Sequence, residues 1–152
     1  MAQNLLQPTG IRLFASAAKS STATLFTGTI PLADSYAFII DVTAATGTTP
    51  TLDVSYQTAV IDGKGTPANY YVFARHAQVT TSTGPRRLII RNAQGFGEAG
   101  SEGAIAATGG ALNSNAPFST AIKVVATIGG TNPSYTLAVY VICSPRMGAM
   151  AG

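Results

Sequence analysis

Along residues 120–143 apolar and polar side chains alternate. Ile122, Val124, Ala126 and Ile128 interleave with Lys123, Val125 and Thr127. Beyond Gly129, Gly130, Thr131, Asn132 and Pro133, the residues Tyr135, Leu137, Val139 and Val141 interleave with Thr136, Ala138, Tyr140 and Ile142. A side-chain period of two, in a stretch rich in Val, Ile, Tyr and Thr, marks strand with one face in a core. The turn residues in its middle predict a β-hairpin, with Pro133 at the mouth of the turn because it has no N–H to give a ladder. The same unit stands earlier: Tyr36, Phe38, Ile40 and Val42 alternate, Gly47-Thr48-Thr49-Pro50 interrupts, and Leu52, Val54 and Tyr56 follow. Both units read G-T-x-P-[ST] and then Leu, Val and Tyr, as L-x-V-x-Y in the first and L-x-V-Y in the second, which is one residue longer overall. Two such hairpins would cover each other's apolar sides. The expectation is an all-β, single-domain antiparallel β-sandwich of jelly-roll-like form.

The rest of the chain fits around this pair. Residues 23–30 read as a strand ended by Pro31, 69–79 and 86–92 as two more, and 62–67 as a loop dense in turn residues. Residues 1–20 hold Leu5, Leu6, Ile11, Leu13 and Phe14 without a sustained period, so an arm is expected in preference to a short helix over 11–19. Residues 94–118 hold six of the sixteen glycines and only Phe96, Ile105, Leu112 and Phe118 as large apolar residues. A loop of that length in a compact domain is usually functional or ordered by assembly. The division expected is an arm at 1–20, a sandwich at 21–143 carrying the long loop 94–118, and a tail at 144–152.

Composition sharpens the picture. Charged residues are 10% of the chain, against roughly 25% in ordinary soluble domains. So little charge suits a surface packed against neighbours, where buried charge is costly. The net charge of +3 comes from nine basic residues spread along the chain, which is not a nucleic-acid-binding composition. Cys143, the single cysteine, excludes an internal disulfide and reads as a small buried hydrophobe. No apolar run approaches the ~18 residues of a membrane span, and the first residues lack the charged and apolar regions of a secretory signal.

Candidate chemistry is sparse. Residues 95–100 spell G-x-G-x-x-G, but a dinucleotide site needs a helix there and an acid about 20 residues on. No Asp or Glu follows Glu102, so no cofactor is expected. Arg75, His76, Arg86, Arg87 and Arg91 form a basic interval near Tyr70, Tyr71 and Phe73, which would permit nucleic-acid contact; a solvated or subunit-facing sheet meeting a partner's carboxylates is the stronger reading. His76 is the only histidine, so a His/Cys metal cluster is excluded, and no G-x-S-x-G supplies a nucleophile. His76 therefore reads as an ordinary strand residue. Asp41 and Asp53 are expected on the solvent side of the first hairpin, and no D-x-D bunching suggests calcium.

The run from Phe38 to Gln57, with Asp41-Val42-Thr43, Gly47-Thr48-Thr49-Pro50-Thr51 and Leu52-Asp53-Val54, resembles the D-V-T…G-T-x-P-T-L-D-V motif of small structural proteins of tailed-bacteriophage virions. Residues 87–91 and 122–136 share the likeness, which covers about residues 36–142. The chain departs from that family at 62–67, which ends in Pro67 where a Trp is usual, and in the length of 94–118. The resemblance implies a non-enzymatic decoration (cement) protein on the exterior of the virion capsid, made in the host cytoplasm. Its partners would be the major capsid protein and copies of itself, in a homotrimer or else a dimer, with neither membrane nor nucleic acid involved. Contacts are expected from Leu5, Leu6, Ile11, Leu13 and Phe14 of the arm, from Phe96, Ile105, Leu112 and Phe118 of the loop, and from Arg146, Met147 and Met150 of the tail. Two alternatives remain: a tail, neck or host-adhesion component, and a carbohydrate-binding module using Tyr70, Tyr71 and Phe73.

Overall fold

The structure, a computed structural model, describes residues 8–61, 67–91, 112–113 and 119–144. It contains strands β1 (Thr9–Lys19), β2 (Ala23–Thr29), β3 (Ser35–Ile61), β4 (Pro67–Arg75), β5 (Gly84–Arg91), β6 (Leu112–Asn113) and β7 (Ala121–Ser144). Every pairing among the described residues is antiparallel. The spine is a two-stranded ribbon in which β3 and β7 pair from Ser35 opposite Ser144, through Thr48 opposite Thr131, to Thr58 opposite Ile122. β1 and then β2 follow the free edge of β7, while β5 and β4 follow the free edge of β3. The result is one hydrogen-bonded surface, four bent strands wide, folded across its middle. One half is the sheet β1–β7–β3–β5 and the other is β2–β7–β3–β4, with β6 beyond β4. Two four-stranded antiparallel sheets related in this way form a jelly roll.

The fold lies where the sequence signals a turn, but neither G-T-x-P segment closes a hairpin. Residues 36–42 do not pair with 52–56, nor 122–128 with 135–141; each strand passes through its bend and continues in the other sheet. Left-handed backbone at Gly47 (φ 120°), Thr49 (48°), Gly130 (107°) and Asn132 (48°) redirects the strands without reversing them, as strands do when they switch sheets at a corner. The two bends also lock into each other. A β-carbon on Gly47 would lie 2.8 Å from the Asn132 carbonyl oxygen and 2.9 Å from Pro133 Cα. One on Gly130 would lie 2.6 Å from the Thr49 oxygen and 2.9 Å from Pro50 Cα. Equivalent residues of the two repeats thus meet about a local two-fold. A register shift between Val42 and Ala44 leaves Thr43 and Ala44 both exposed, the extra residue of a bulge entering the bend.

Folding the ribbon brings its apolar faces together. Tyr36, Phe38, Ile40 and Val42 from one half of β3 meet Leu52, Val54 and Tyr56 from the other, with Leu137, Val139, Val141, Ile122 and Val124 from β7. The Phe38 and Tyr56 rings, on the same strand but in opposite sheets, have centroids 4.2 Å apart. Such a pair adds about 0.5–1.5 kcal/mol beyond its area. Buried tyrosines also fix the connections. The Tyr36 hydroxyl accepts from Ala33 N (2.8 Å) and donates to Pro31 O (2.9 Å). The Tyr135 hydroxyl donates toward Val79 O and Thr80 O, holding the corner where β4 passes to β5.

Three further expectations change. Residues 9–19 are not an arm: they pair with β7 from Thr9 opposite Cys143 to Lys19 opposite Tyr135. Their irregular pattern has a physical source, because register shifts around Phe14 put Leu13 and Phe14 both toward the core. In β4 the alternation slips at Phe73, so Phe73 and Ala74 are both buried and the strand ends at Arg75, short of 79. Of the long loop, Leu112 and Asn113 pair with Arg75 and Ala74. The loop at 62–66, residues 92–111 with their G-x-G-x-x-G, and the tail beyond Ser144 lie outside the described residues.

Alanine at Gly130 must adopt left-handed backbone and meet the Thr49 carbonyl. Gly130→Ala is expected to lower the unfolding free energy by at least about 1–3 kcal/mol. Gly10→Ala, where nothing lies within 4 Å of the added carbon, should stay within about 0.5 kcal/mol of the parent. Urea unfolding of the two variants side by side reads the difference.

Candidate interaction surfaces

The folded ribbon has two unlike ends. At the crease, exposed residues are small and uncharged: Ser20, Ser21, Thr22, Thr46, Thr48, Thr49, Thr131, Asn132 and residues 80–83. At the opposite, open end, the loop after β2 stitches the two sheets together. Ile30 N donates to Thr120 O (2.9 Å) beside one sheet, and Asp34 N donates to Ser144 O (3.0 Å) on the other. Here lie Leu32, 78% exposed, and the exposed Val60 and Tyr71. Here too the described strands hand over to the rest of the chain, at Thr9, Ile61, Arg91, Ser119 and Ser144.

The two outer faces also differ. Along β2–β7–β3–β4 the register lines up Thr27, Lys123, Gln57 and Val72, then Thr24, Val125, Ser55 and Arg75. Lys123 Nζ stands 5.4 Å from the Tyr70 ring centroid, and Gln78 Nε2 donates to Asp53 Oδ2 (2.9 Å). That face is mixed and polar. Along β1–β7–β3–β5 the rows are Arg12, Tyr140, Ile39 and Arg87, then Gly10, Ile142, Ala37 and Ile89. Tyr140 is 36% and Ile89 51% exposed, Ile39, Ile142 and Ala37 are half-buried, and Arg12 and Arg87 are exposed. The centre of this face is apolar and its edge strands carry guanidinium groups. The signal lay in the sequence, in apolar residues standing at positions where strict alternation demands polar ones.

The residues singled out from the sequence divide accordingly. Leu13 is buried in the molecule's own core, and Ile11 and Phe14 pack against it; Leu13 therefore has no surface to offer a neighbour. Leu112 lies in β6 beside β4. Leu5, Leu6, Phe96, Ile105, Phe118, Arg146, Met147 and Met150 lie outside the described residues. Tyr70, Tyr71 and Phe73 do not form one aromatic platform: Phe73 is buried with its ring 6.2 Å from Phe38, Tyr70 sits beneath Lys123, and Tyr71 is exposed at the open end. The basic interval is dispersed likewise. Arg75 pairs with Ser55 on one outer face, Arg87 lies on the other, and Arg86, opposite Ile40, donates to Ser82 Oγ at the rim. Asp41 and Asp53 are half-buried. Cys143 is buried, and burial pushes its thiol pKa up.

His76 is buried just after β4, where its backbone N–H donates to Val54 O. Its Nε2 is 2.9 Å from the Tyr56 hydroxyl, so the two neutral groups satisfy each other. Burial, and secondarily the charge of Arg86, lower its pKa to about 4. A neutral, enclosed imidazole bonded to a tyrosine serves as a packing element between β3 and the corner after β4. Among the described residues no group of three His, Cys, Asp or Glu side chains could hold a metal ion, and no helix is long and apolar enough to cross a membrane.

No protein-family model matches the chain, and no curated protein matches it. Among solved structures it is similar to the VP2 subviral particle of infectious bursal disease virus, at 16% identity over 93% of this chain with a TM-score of 0.48. It is also similar to the structure of the Gx strain of that virus, at 17% identity over 93% of this chain with a TM-score of 0.44. The chain spans 33% of the length of each of those chains.

The depressed pKa of His76 fixes a pH dependence. The unfolded chain takes up the proton near pH 6.5, the folded one only near 4, so between these values the unfolded state holds more protons and stability falls as pH falls. Full passage through the window costs roughly 3 kcal/mol. Denaturant midpoints at pH 7 and pH 4.5 should differ in that direction, and His76→Phe should flatten the difference at some cost in stability at pH 7.

Proposed function

We propose that this chain is a non-enzymatic virion protein, a capsid decoration or cement protein that binds the exterior of the major capsid shell and stabilises it. The observation that carries the reading is the convergence at the open end. Residues 1–7, 62–66 and 145–152 join the described strands there, as do 92–111 at Arg91 and 114–118 at Ser119, beside exposed Leu32, Val60 and Tyr71. At the opposite end the exposed side chains are small and hydroxyl-bearing, with Lys19 and Arg86 half-buried beside them. A subunit so arranged presents one end to a neighbour and the other to solvent. The low charge content supports the same reading, as does the resemblance of the two G-T-x-P repeats to phage virion proteins. The contacts assigned to this end are Leu5, Leu6, Phe96, Ile105, Phe118, Arg146, Met147 and Met150, while Leu112 lies away from it, opposite Arg75. Stabilisation follows from mass action, because a subunit that binds the assembled shell and not its dissociated parts favours the shell. Closed symmetry points to a homotrimer on a local threefold, or else a dimer.

The test uses shells assembled from the major capsid protein without this chain. Added protein should co-sediment with them saturably and raise their melting temperature. Removal of residues 1–7 and 145–152, which leaves every described strand intact, should weaken binding at unchanged unfolding midpoint. Failure of the whole chain to co-sediment, or its recovery in a few copies from isolated tails, would overturn the reading.

A further inference from the structure

From the contrast between its two outer faces we infer that the β1–β7–β3–β5 sheet docks, outer face down, on a protein surface of the shell that is apolar at its centre and bordered by carboxylates. The inference rests on the decoration reading and adds the surface and the chemistry of its partner. Its centre is the pair Tyr140 and Ile39, which face each other across the β3–β7 ladder in the row bounded by Arg12 and Arg87. Among the described residues a single carboxylate, Asp41, lies on this face, two residues along β3 from Ile39 and half-buried. A surface with one aromatic anchor, aliphatic neighbours and guanidinium groups at its rim has the make-up of an interface, where Tyr and Arg concentrate. Planar guanidinium forks pair with carboxylates in two parallel hydrogen bonds.

The same charges decide against a second copy of this chain as the occupant. Two such faces laid together would set arginines against arginines with one aspartate each to offset them, in a chain already at +3. Like charges brought together at an interface disfavour it. Among the described residues the other outer face, with Lys123, Arg75 and an Asp53 already held by Gln78, offers no run of carboxylates either. The occupant is therefore a different, acidic-rimmed protein surface.

The experiment compares the full-length chain with three variants in binding to the same undecorated shells, at low and high salt. Arg12→Glu with Arg87→Glu reverses the rim. Gly10→Gln adds a side chain at the end of the Ile142 row, where a β-carbon meets nothing within 4 Å, so the fold is kept while the docked surface is obstructed. Lys123→Glu makes a similar charge change on the other face. Unfolding midpoints establish that each variant is folded. The expected result is a loss of about tenfold or more for the double reversal, a clear loss for Gly10→Gln, parent-like binding for Lys123→Glu, and weakening of the parent by salt. Parent-like binding by both the rim and Gly10 variants would overturn the docking face while leaving the decoration reading intact. Equal losses from Lys123→Glu would also overturn it, as would a change in self-association measured by sedimentation without shells. Failure of the parent itself to bind would overturn both.

Discussion

Two glycines pressed against the opposite strand's backbone set the geometry of the whole molecule. Gly47 lies where a side chain would strike Asn132 and Pro133, and Gly130 where one would strike Thr49 and Pro50. Both carry left-handed backbone, as do Thr49 and Asn132 two residues beyond them. Each strand bends because of its own sequence, and the bends can coincide only because the other strand bends at the same level. Left-handed backbone at Thr49 and Asn132 is strained for a residue with a β-carbon, and it persists because the partner strand holds it from across the ladder. Were one bend straightened, the other would have no complementary surface and the two halves of the ribbon would splay apart.

From that crease the core follows. Folding the ribbon turns the inner face of each half toward the other, and the residues that meet are uncharged: Phe38 against Tyr56, with branched aliphatics of β3 and β7 around them. The polar groups taken inside are those that serve the connections. Tyr36 holds the loop that closes the open end, Tyr135 holds the corner between β4 and β5, and Tyr56 binds the histidine of that corner. Each hydroxyl leaves its aromatic body in the core and gives its polar tip to a turn. His76 is kept neutral by the same enclosure, which makes it a pH-sensitive part of the packing.

Much of this was legible in the chain. The alternation of Tyr36, Phe38, Ile40 and Val42 and of Tyr135, Leu137, Val139 and Val141 identifies the inner face correctly, because period two is a local property of strand. The seat of the G-T-x-P repeats was legible as an interruption, but its meaning was not. A hairpin turn and a sheet-to-sheet corner use the same residue types, and only the partner strand, distant in sequence, decides between them. Residues 9–19 were obscured for a related reason, since bulges around Leu13 and Phe14 spoil the period by which a strand is recognised. The outer-face patch could have been found from Tyr140, Ile142, Ile39 and Ile89, which break the alternation on the polar phase; what links them is register, which sequence alone does not supply.

The fold thereby separates its tasks. The crease end is small-residued and hydroxyl-bearing, the interior holds the sheets together, and the open end and one outer face carry the apolar side chains left at the surface. Such a division suits a subunit that joins a larger structure in one orientation. It depends throughout on the ribbon being folded at the paired repeats, and nuclear Overhauser contacts in isotopically labelled protein test that directly. Cross-strand contacts linking Thr46 with Ser134, Thr48 with Thr131 and Thr51 with Gly129 are the predicted result. Contacts joining Ala44 to Leu52 and Ile128 to Tyr135 across two local hairpins, with none between the repeats, would contradict it.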